Sequence, residues 1–358
     1  MKVLQILPQL NIGGVERGTL DLSKALIHKG HESFVISGGG ILVNELTQCG
    51  AKHYEIPVHI KSLRTLSLAK RLSETISSID PDIVHVRSRM PAWVNYRAFK
   101  LLQKKPLLVS TFHGLYSFPI YSKVMSFVDH SIAISKTVER YILENYKLDQ
   151  SDITIIPRGC DPLEFNNDEI NPVDKANIIE EFPQIVGKKV LTIPGRITKW
   201  KGITEFIELL SLLDDNYHGL IVGPTAKSKK KYRNKLQNKV SLLNLEDRIT
   251  FTGSRRDIAN IYKISDVVFN LSQTPEPFGR TMIEAIACGK KVVGWNHGGA
   301  SEILTELFPQ GLVTLNDMNE LLKTTNQVVS SNSLPRENIF TANRMTNSTI
   351  SLYQSLIN

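Results

Sequence analysis

The chain has 358 residues, more than one hydrophobic core usually organises, so two domains of ordinary size or one large α/β domain are expected. A hydrophobic content of 41% with 22% charged residues excludes disorder, and no apolar run approaches the ~18 residues of a spanning helix. Forty-three Lys plus Arg against thirty-five Asp plus Glu leave a net charge of +8, which favours anionic partners without naming them.

The opening MKVLQILPQL reads as a first strand and not as a secretory signal, so a cytoplasmic protein is expected. Cys49, Cys160 and Cys288 have neither zinc nor disulfide spacing and read as reduced bystanders. Short apolar runs alternate with stretches of helical period along the whole chain, a parallel α/β pattern. Expected strands in the first half are 3–7, 33–37, 83–86, 107–111, 131–134 and 153–156. In the second half they are 190–193, 220–222, 249–252, 267–271, 291–294 and 312–314. Two doubly wound halves would bind ligand in a cleft between the C-terminal ends of their strands.

After the first strand, PQLNIGGVERG places Gly13 and Gly14 at the opening of a helix whose N-terminal amides suit an anion; a plain packing turn is the alternative. The G-x-G-x-x-G fingerprint is not matched, and FVISGGG at the end of the second strand offers no acid for a ribose diol, which disfavours an NAD dehydrogenase. Asp80 and Asp82 imitate a D-x-D metal motif but precede a strand, at the edge opposite a ligand cleft. HVRSRMPAW sets Arg87 and Arg89 just after a strand, where they could bind an anionic acceptor. His113 follows the next strand and could donate to a ligand hydroxyl. Beyond it Tyr116, Phe118, Tyr121, Met125 and Phe127 lie near Lys123, with Trp93 and a basic helix end at Lys104 and Lys105. Aromatics beside cations suit an anionic membrane surface; filling the core is the alternative.

Between Asp161 and Gly187 the rhythm breaks into what reads as an inter-domain connection. The expected domains are therefore 1–165 and 166–338. A C-terminal helix, 339–358, is free to pack back on the first. In the second half, VLTIP is followed by GRITKWKG, so Arg196 and Lys201 sit in a strand-to-helix loop, where two cations suit a diphosphate. The basic run 227–235 continues into a helix through Leu236, Val240 and Leu243 and reads as a solvated face, while Arg255 and Arg256 could lie near a base. PEPFGRTMIEAIACGKKVVG puts Glu276 before a helix starting near Gly279 and Glu284 inside it. Five residues of helix rise about 7 Å, the order of a diphosphate's reach. One carboxylate could hold a ribose diol and the other a sugar, with the amides of Phe278, Gly279, Arg280 and Thr281 aimed at the anion between.

GGVERG, GRITKWKG and the Glu276–Glu284 pair together resemble the retaining family four glycosyltransferases of GT-B fold, over nearly the whole chain. RSRMPAW further resembles bacterial members that build lipopolysaccharide core or related surface glycans. The resemblance implies that Arg196 and Lys201 neutralise the nucleotide diphosphate, that Glu284 holds the ribose and that Glu276 contacts the donor sugar. The 278–281 backbone would line sugar and phosphates, with Gly13 and Gly14 approaching from the other domain and His113 near the reacting carbon. It also implies retention and no metal or other cofactor. Arg158 departs from the Asn that relatives usually have in IPRGCDPLEF. The alternatives are a nucleotide-sugar epimerase on the same fold and a basic nucleic-acid-binding protein. The second is weakened because the aromatics do not interleave with the main Lys run, so no nucleic-acid partner is expected.

Overall fold

The computed structural model describes every residue but Ile12, Lys61, Ser62 and Phe118; the side chains of Leu63, Arg64, Leu66 and Lys227 also lie outside the description. The chain forms two compact units, Met1–Gly159 with Ala342–Asn358, and Cys160–Thr341.

In the first unit β1 (Lys2–Ile6), β2 (Glu32–Ser37), β3 (Lys52–Glu55), β4 (Ile83–Val86), β5 (Leu107–Phe112), β6 (His130–Ala133) and β7 (Ile153–Ile155) form one sheet of order β3-β2-β1-β4-β5-β6-β7. In the second, β8 (Lys189–Pro194), β9 (Tyr217–Val222), β10 (Ile249–Gly253), β11 (Val267–Asn270), β12 (Lys291–Trp295) and β13 (Leu312–Val313) take the order β10-β9-β8-β11-β12-β13. Every pairing is parallel. The strand order reverses between β1 and β4 and between β8 and β11, so the loops leaving these strands open the crevice where doubly wound sheets hold ligands. Strands buried on both faces need near-continuous apolar runs, which is why the central ones were legible in the sequence. The strand β3, KHYE, was not: it pairs at the sheet edge from Phe34↔Lys52 to Ser37↔Glu55 and carries no apolar run.

Six helices position the residues discussed below: α1 (Gly14–His28), α2 (Arg89–Phe99), α3 (Ile203–Leu212), α4 (Arg280–Ala287), α5 (Gly298–Leu307) and α6 (Ala342–Ile357). The helix α1 buries Thr19, Leu22, Ser23 and Leu26, one face at 3.6-residue spacing. The C-terminal helix α6 returns to the first unit and packs against α1. Its Met345, Ile350 and Tyr353 join Leu22, Leu26 and strand residues Val3, Ile83 and Val109 in one core. Each such buried side chain stabilises by about 1.5–3 kcal/mol. Tyr353 also meets His85 across a 2.5 Å hydrogen bond.

Three expectations need correcting. The 161–187 stretch contains a helix, Pro172–Glu181, started by Asn171, whose side chain accepts from the Val173 amide, and anchored by Ile178 in the second core. Lys104 and Lys105 lie beyond the end of α2, in an irregular segment and not at a helix end. The helix after the basic run buries Leu236 and Val240, but Leu243 lies just past its end and is 37% exposed.

Candidate active site

The turn after β8 is built on two glycines at positive φ, Gly195 (137°) and Gly202 (71°). A Cβ on Gly202 would lie 1.9 Å from the Leu271 carbonyl oxygen, so only glycine lets the start of α3 approach the end of β11 so closely. Lys201 lies along Gly195 and turns its ammonium onto the Glu276 carboxylate. The Trp200 ring sits beneath the same ammonium, its centroid 4.3 Å away. Ser272 Oγ donates to the bonded Glu276 oxygen at 2.5 Å. Burial alone would push the Glu276 carboxyl up, but the Lys201 charge and these hydrogen bonds hold it below its ordinary value. Arg196, in the same turn, is exposed and makes no ion pair among the described residues.

The loop carrying Glu276 is shaped by a second glycine pair, at the start of α5. Gly298 and Gly299 open α5 directly against it: a Cβ on Gly298 would lie 2.8 Å from Glu276 N, and one on Gly299 2.5 Å from the Phe278 Cα. The Gly299 amide donates to the Glu276 carbonyl at 2.8 Å, and His297 Nε2 meets the Ser272 carbonyl at 2.6 Å. The HGGA that follows a strand was the available signal, a second glycine pair like Gly13–Gly14.

Gly279 (φ 121°) caps α4, which begins at Arg280. Glu284, 5% exposed, is gripped by its own helix: Arg280 Nε and Nη2 reach one carboxylate oxygen at 3.1 and 2.6 Å, and the Tyr262 hydroxyl donates to the other at 3.4 Å. Here burial outweighs the arginine and the carboxyl is pushed up. The two glutamates thus have separate cations and opposite shifts. Thr281 follows Arg280 in the first turn of α4 and Phe278 is buried just before it.

In the first unit, Gly13 is extended (φ 177°) and Gly14 begins α1. Arg158, 7% exposed, donates through Nη2 to the Gly14 carbonyl. It crosses α1 at Gly18, where a Cβ would lie 2.5 Å from Nη2. His113, just beyond β5, has a buried Nε2 with no hydrogen-bond partner among the described residues; burial first, then Arg158, Arg87 and His85, hold its imidazole well below the usual value and therefore neutral at pH 7. Arg87 and Arg89 diverge. Arg87 is 4% exposed and donates to Gln5 Oε1 at 2.6 Å, beneath α1. Arg89 lies over the Tyr116 and Tyr121 rings, 4.6 and 5.4 Å from their centroids.

Around Arg89, Trp93 stacks on Tyr121, Tyr96 tilts onto Phe127, and Lys100 and Lys123 cover Tyr96 and Phe127. Met125 is fully buried, whereas Ile120 is 90% exposed; Phe118 lies outside the described residues. Asp80 and Asp82 have structural partners, Lys104 Nζ and the Lys2 amide. Arg255 is taken up by Glu181 and Asp257. Among the described residues no three His, Cys, Asp or Glu side chains gather as metal ligands, and no helix is long and apolar enough to cross a membrane. Cys160 and Cys288 are buried free thiols, pushed up to about 12 and about 11 by burial.

Two doubly wound parallel sheets, with the last helix packed on the first, define the GT-B class of glycosyltransferases. Residues 12–163 match the model of Glycosyltransferase Family 4, and residues 174–345 that of Glycosyl transferases group 1. A glycosyltransferase from Rickettsia africae ESF-5, known as a crystal structure, is 30% identical with a TM-score of 0.87, over 100% of this chain and 98% of that one. N-acetyl-alpha-D-glucosaminyl L-malate synthase of Bacillus anthracis is 24% identical over 82% of this chain and 78% of its own. The fold is shared also with Anabaena Alr3699/HepE in complex with UDP-glucose, at 21% identity and TM-score 0.80, over 99% of this chain and 100% of that one. The chain belongs to the family four, group 1 glycosyltransferases and uses a nucleotide-sugar donor.

Proposed function

We propose that the enzyme moves a hexose, with retention and without a metal, from a nucleoside diphosphate sugar to a hydroxyl of a glycan or lipid-linked acceptor in lipopolysaccharide or other surface-glycan synthesis. The observation that carries this reading is the Lys201–Glu276 ion pair beside the exposed Arg196. It supplies two cations for a diphosphate and one ionised carboxylate for sugar hydroxyls, within one pair of turns. In the transfer the bond between the sugar's anomeric carbon and the phosphate oxygen breaks, its electron pair leaving with the diphosphate. The acceptor oxygen bonds to that carbon and passes its proton to the departing phosphate oxygen. Arg196 and Lys201 stabilise the charge that develops on the leaving phosphate. The ionised Glu276 accepts from donor-sugar hydroxyls, neutral His113 accepts from or donates to one, and Glu284 accepts from the ribose. Phe278, Gly279, Arg280 and Thr281 offer backbone amides, and Gly13 and Gly14 admit the diphosphate closely.

Arg89 and the aromatic face around Trp93, Tyr121 and Phe127 form the acceptor side, resting on an anionic inner-leaflet surface at the cytoplasmic face. The exposed Ile120, with Lys100 and Lys123 nearby, supports that placement, since apolar groups beside cations favour such surfaces. The test is a panel of nucleotide sugars. The true donor, at 100 times its dissociation constant, adds about 2.7 kcal/mol of stability and shifts thermal unfolding upward. A panel in which none does so contradicts the reading, as does a donor consumed without a new glycoside, which would mark an epimerase.

A further inference from the structure

Between the first sheet and helices α1 and α6 lies a cluster of cations that the donor chemistry does not use. Arg87 is 4% exposed, yet among the described residues it forms no ion pair. Its Nη1 is spent on the neutral amide of Gln5, and its Nε has no hydrogen-bond partner among the described residues. Burial pulls its charged form down, and Tyr353, Asp21 and Glu16 offset this only in part. Such a guanidinium is costly to bury unless a counter-charge reaches it.

Beside it is a cavity of about 20 Å³, walled by Arg87, Arg158, His85 and Thr111 and by apolar side chains such as Leu22 and Ile132, with no acidic residue in its lining. That is room for one water-sized group. Both His85 nitrogens are already engaged, by Tyr353 and Thr111, and burial first and then Arg87 keep its imidazole neutral. The site therefore offers two guanidinium groups, an idle N–H donor and partly apolar walls. A water molecule would fill the space and bring no counter-charge to Arg87, while a phosphate or sulfate is too large for it.

We propose that this cavity binds a single monovalent anion of chloride size, held by Arg87 with Arg158 opposite. The ion supplies a counter-charge to Arg87 between the sheet and the helices α1 and α6. The inference is independent of the donor assignment.

The test uses the full chain. Thermal unfolding in sodium chloride and in sodium gluconate is compared at matched ionic strength, and the linewidth of ³⁵Cl NMR is followed as protein is added. Chloride should raise the midpoint saturably, by about 2–4 °C once well above its dissociation constant, and should broaden the ³⁵Cl line. Bromide should reproduce the shift and reverse the broadening. Arg87→Met should abolish the chloride response, and Lys201→Ala should keep it, because the diphosphate turn is a separate place. Should Arg87→Met fail to fold, broadening and its reversal by bromide on the unaltered protein decide the matter. Equal midpoints in both salts without broadening would overturn the proposal. So would a response to sulfate or inorganic phosphate in place of chloride, a chloride response that survives in folded Arg87→Met, or one that disappears in Lys201→Ala.

Discussion

The turn after β1 and the turn after β8 occupy equivalent places, each following a strand at the reversal of its sheet, yet they are held in different ways. The first carries Gly13 and Gly14 and is braced from below, by Arg158 reaching the Gly14 carbonyl past Gly18. The second carries its own cations and is braced sideways, by Lys201 reaching Glu276 in the loop after β11. One fold thus carries two kinds of turn, and under the proposed function they take two tasks: the turn without charge would let a ligand approach backbone, and the charged turn would compensate what develops on the ligand. The difference teaches that an arginine or lysine near a doubly wound edge is not automatically a ligand group. Arg158 and Lys201 both lie in such loops; Arg158 reaches a backbone carbonyl of its own unit, while Lys201 reaches the Glu276 carboxylate.

The comparison breaks most decisively at Lys201. If its charge serves the leaving diphosphate, Lys201→Ala lowers kcat/KM by about 100-fold or more on the true donor, measured on the folded enzyme. It also leaves Glu276 buried without its cation, so stability in urea should fall; Glu276→Ala added to it should recover stability but not rate. Unchanged turnover in Lys201→Ala would make the two turns equivalent after all.

The bracing of the first turn is tested at Gly18. Gly18→Ala should cost about 1–3 kcal/mol in denaturant unfolding, because the new methyl meets the Arg158 guanidinium. Adding Arg158→Ala should return part of that loss, and additive losses would mean that the two residues do not share one space.

A finer contrast lies within the second unit. Glu284→Gln should weaken free nucleoside diphosphate binding about tenfold in calorimetry, and Glu276→Gln should spare it, one lost hydrogen-bonded contact being the order expected. Equal losses would dissolve the division of labour.

The pH dependence of stability should separate the same two carboxyls. The folded Glu276 is held below its ordinary value, so its contribution is present above the unfolded carboxyl range and is lost as pH falls through the lowered value. The folded Glu284 is raised, so the wild type gains on Glu284→Gln as pH falls through the raised value and is lowest, relative to it, near neutrality. Urea titrations across the acid range should therefore give opposite slopes for the two differences, and parallel slopes would refute the assignment. The smallest expected effect is none: EDTA should leave transfer unchanged, since two cations and a helix start already meet the phosphate charge. Activity lost to EDTA and restored by magnesium or manganese would overturn that.

What could be read in advance followed from where burial is two-sided. Central strands such as β1 and β8 announce themselves as apolar runs, and the spacing of Glu276 and Glu284 survives any local uncertainty about helix ends. The edge strand β3 could not be read, because one neighbour and a solvated face place no demand on KHYE. Nor could the divergence of Arg87 and Arg89. Two positions apart they share a strand face, but α2 begins at Arg89, so the side chains leave in different directions. Arg280 on Glu284 is visible as an i, i+4 pair, but the lowered value of the His113 imidazole depends first on burial in the folded unit and then on arginines brought from elsewhere in the chain.

The placement of α6 sets an order on biosynthesis. The second unit is whole once residue 341 has left the ribosome, but the first, begun earlier, must wait for residues 342–358. At translation speeds on the order of 20 residues per second or fewer, the apolar strip formed by Val3, Leu22, Leu26 and Ile83 stays without its covering helix for on the order of ten seconds. During that interval it is a surface for chaperones or for wrong partners, and a nonsense codon near the 3′ end of the message would make that exposure permanent while leaving the second unit intact.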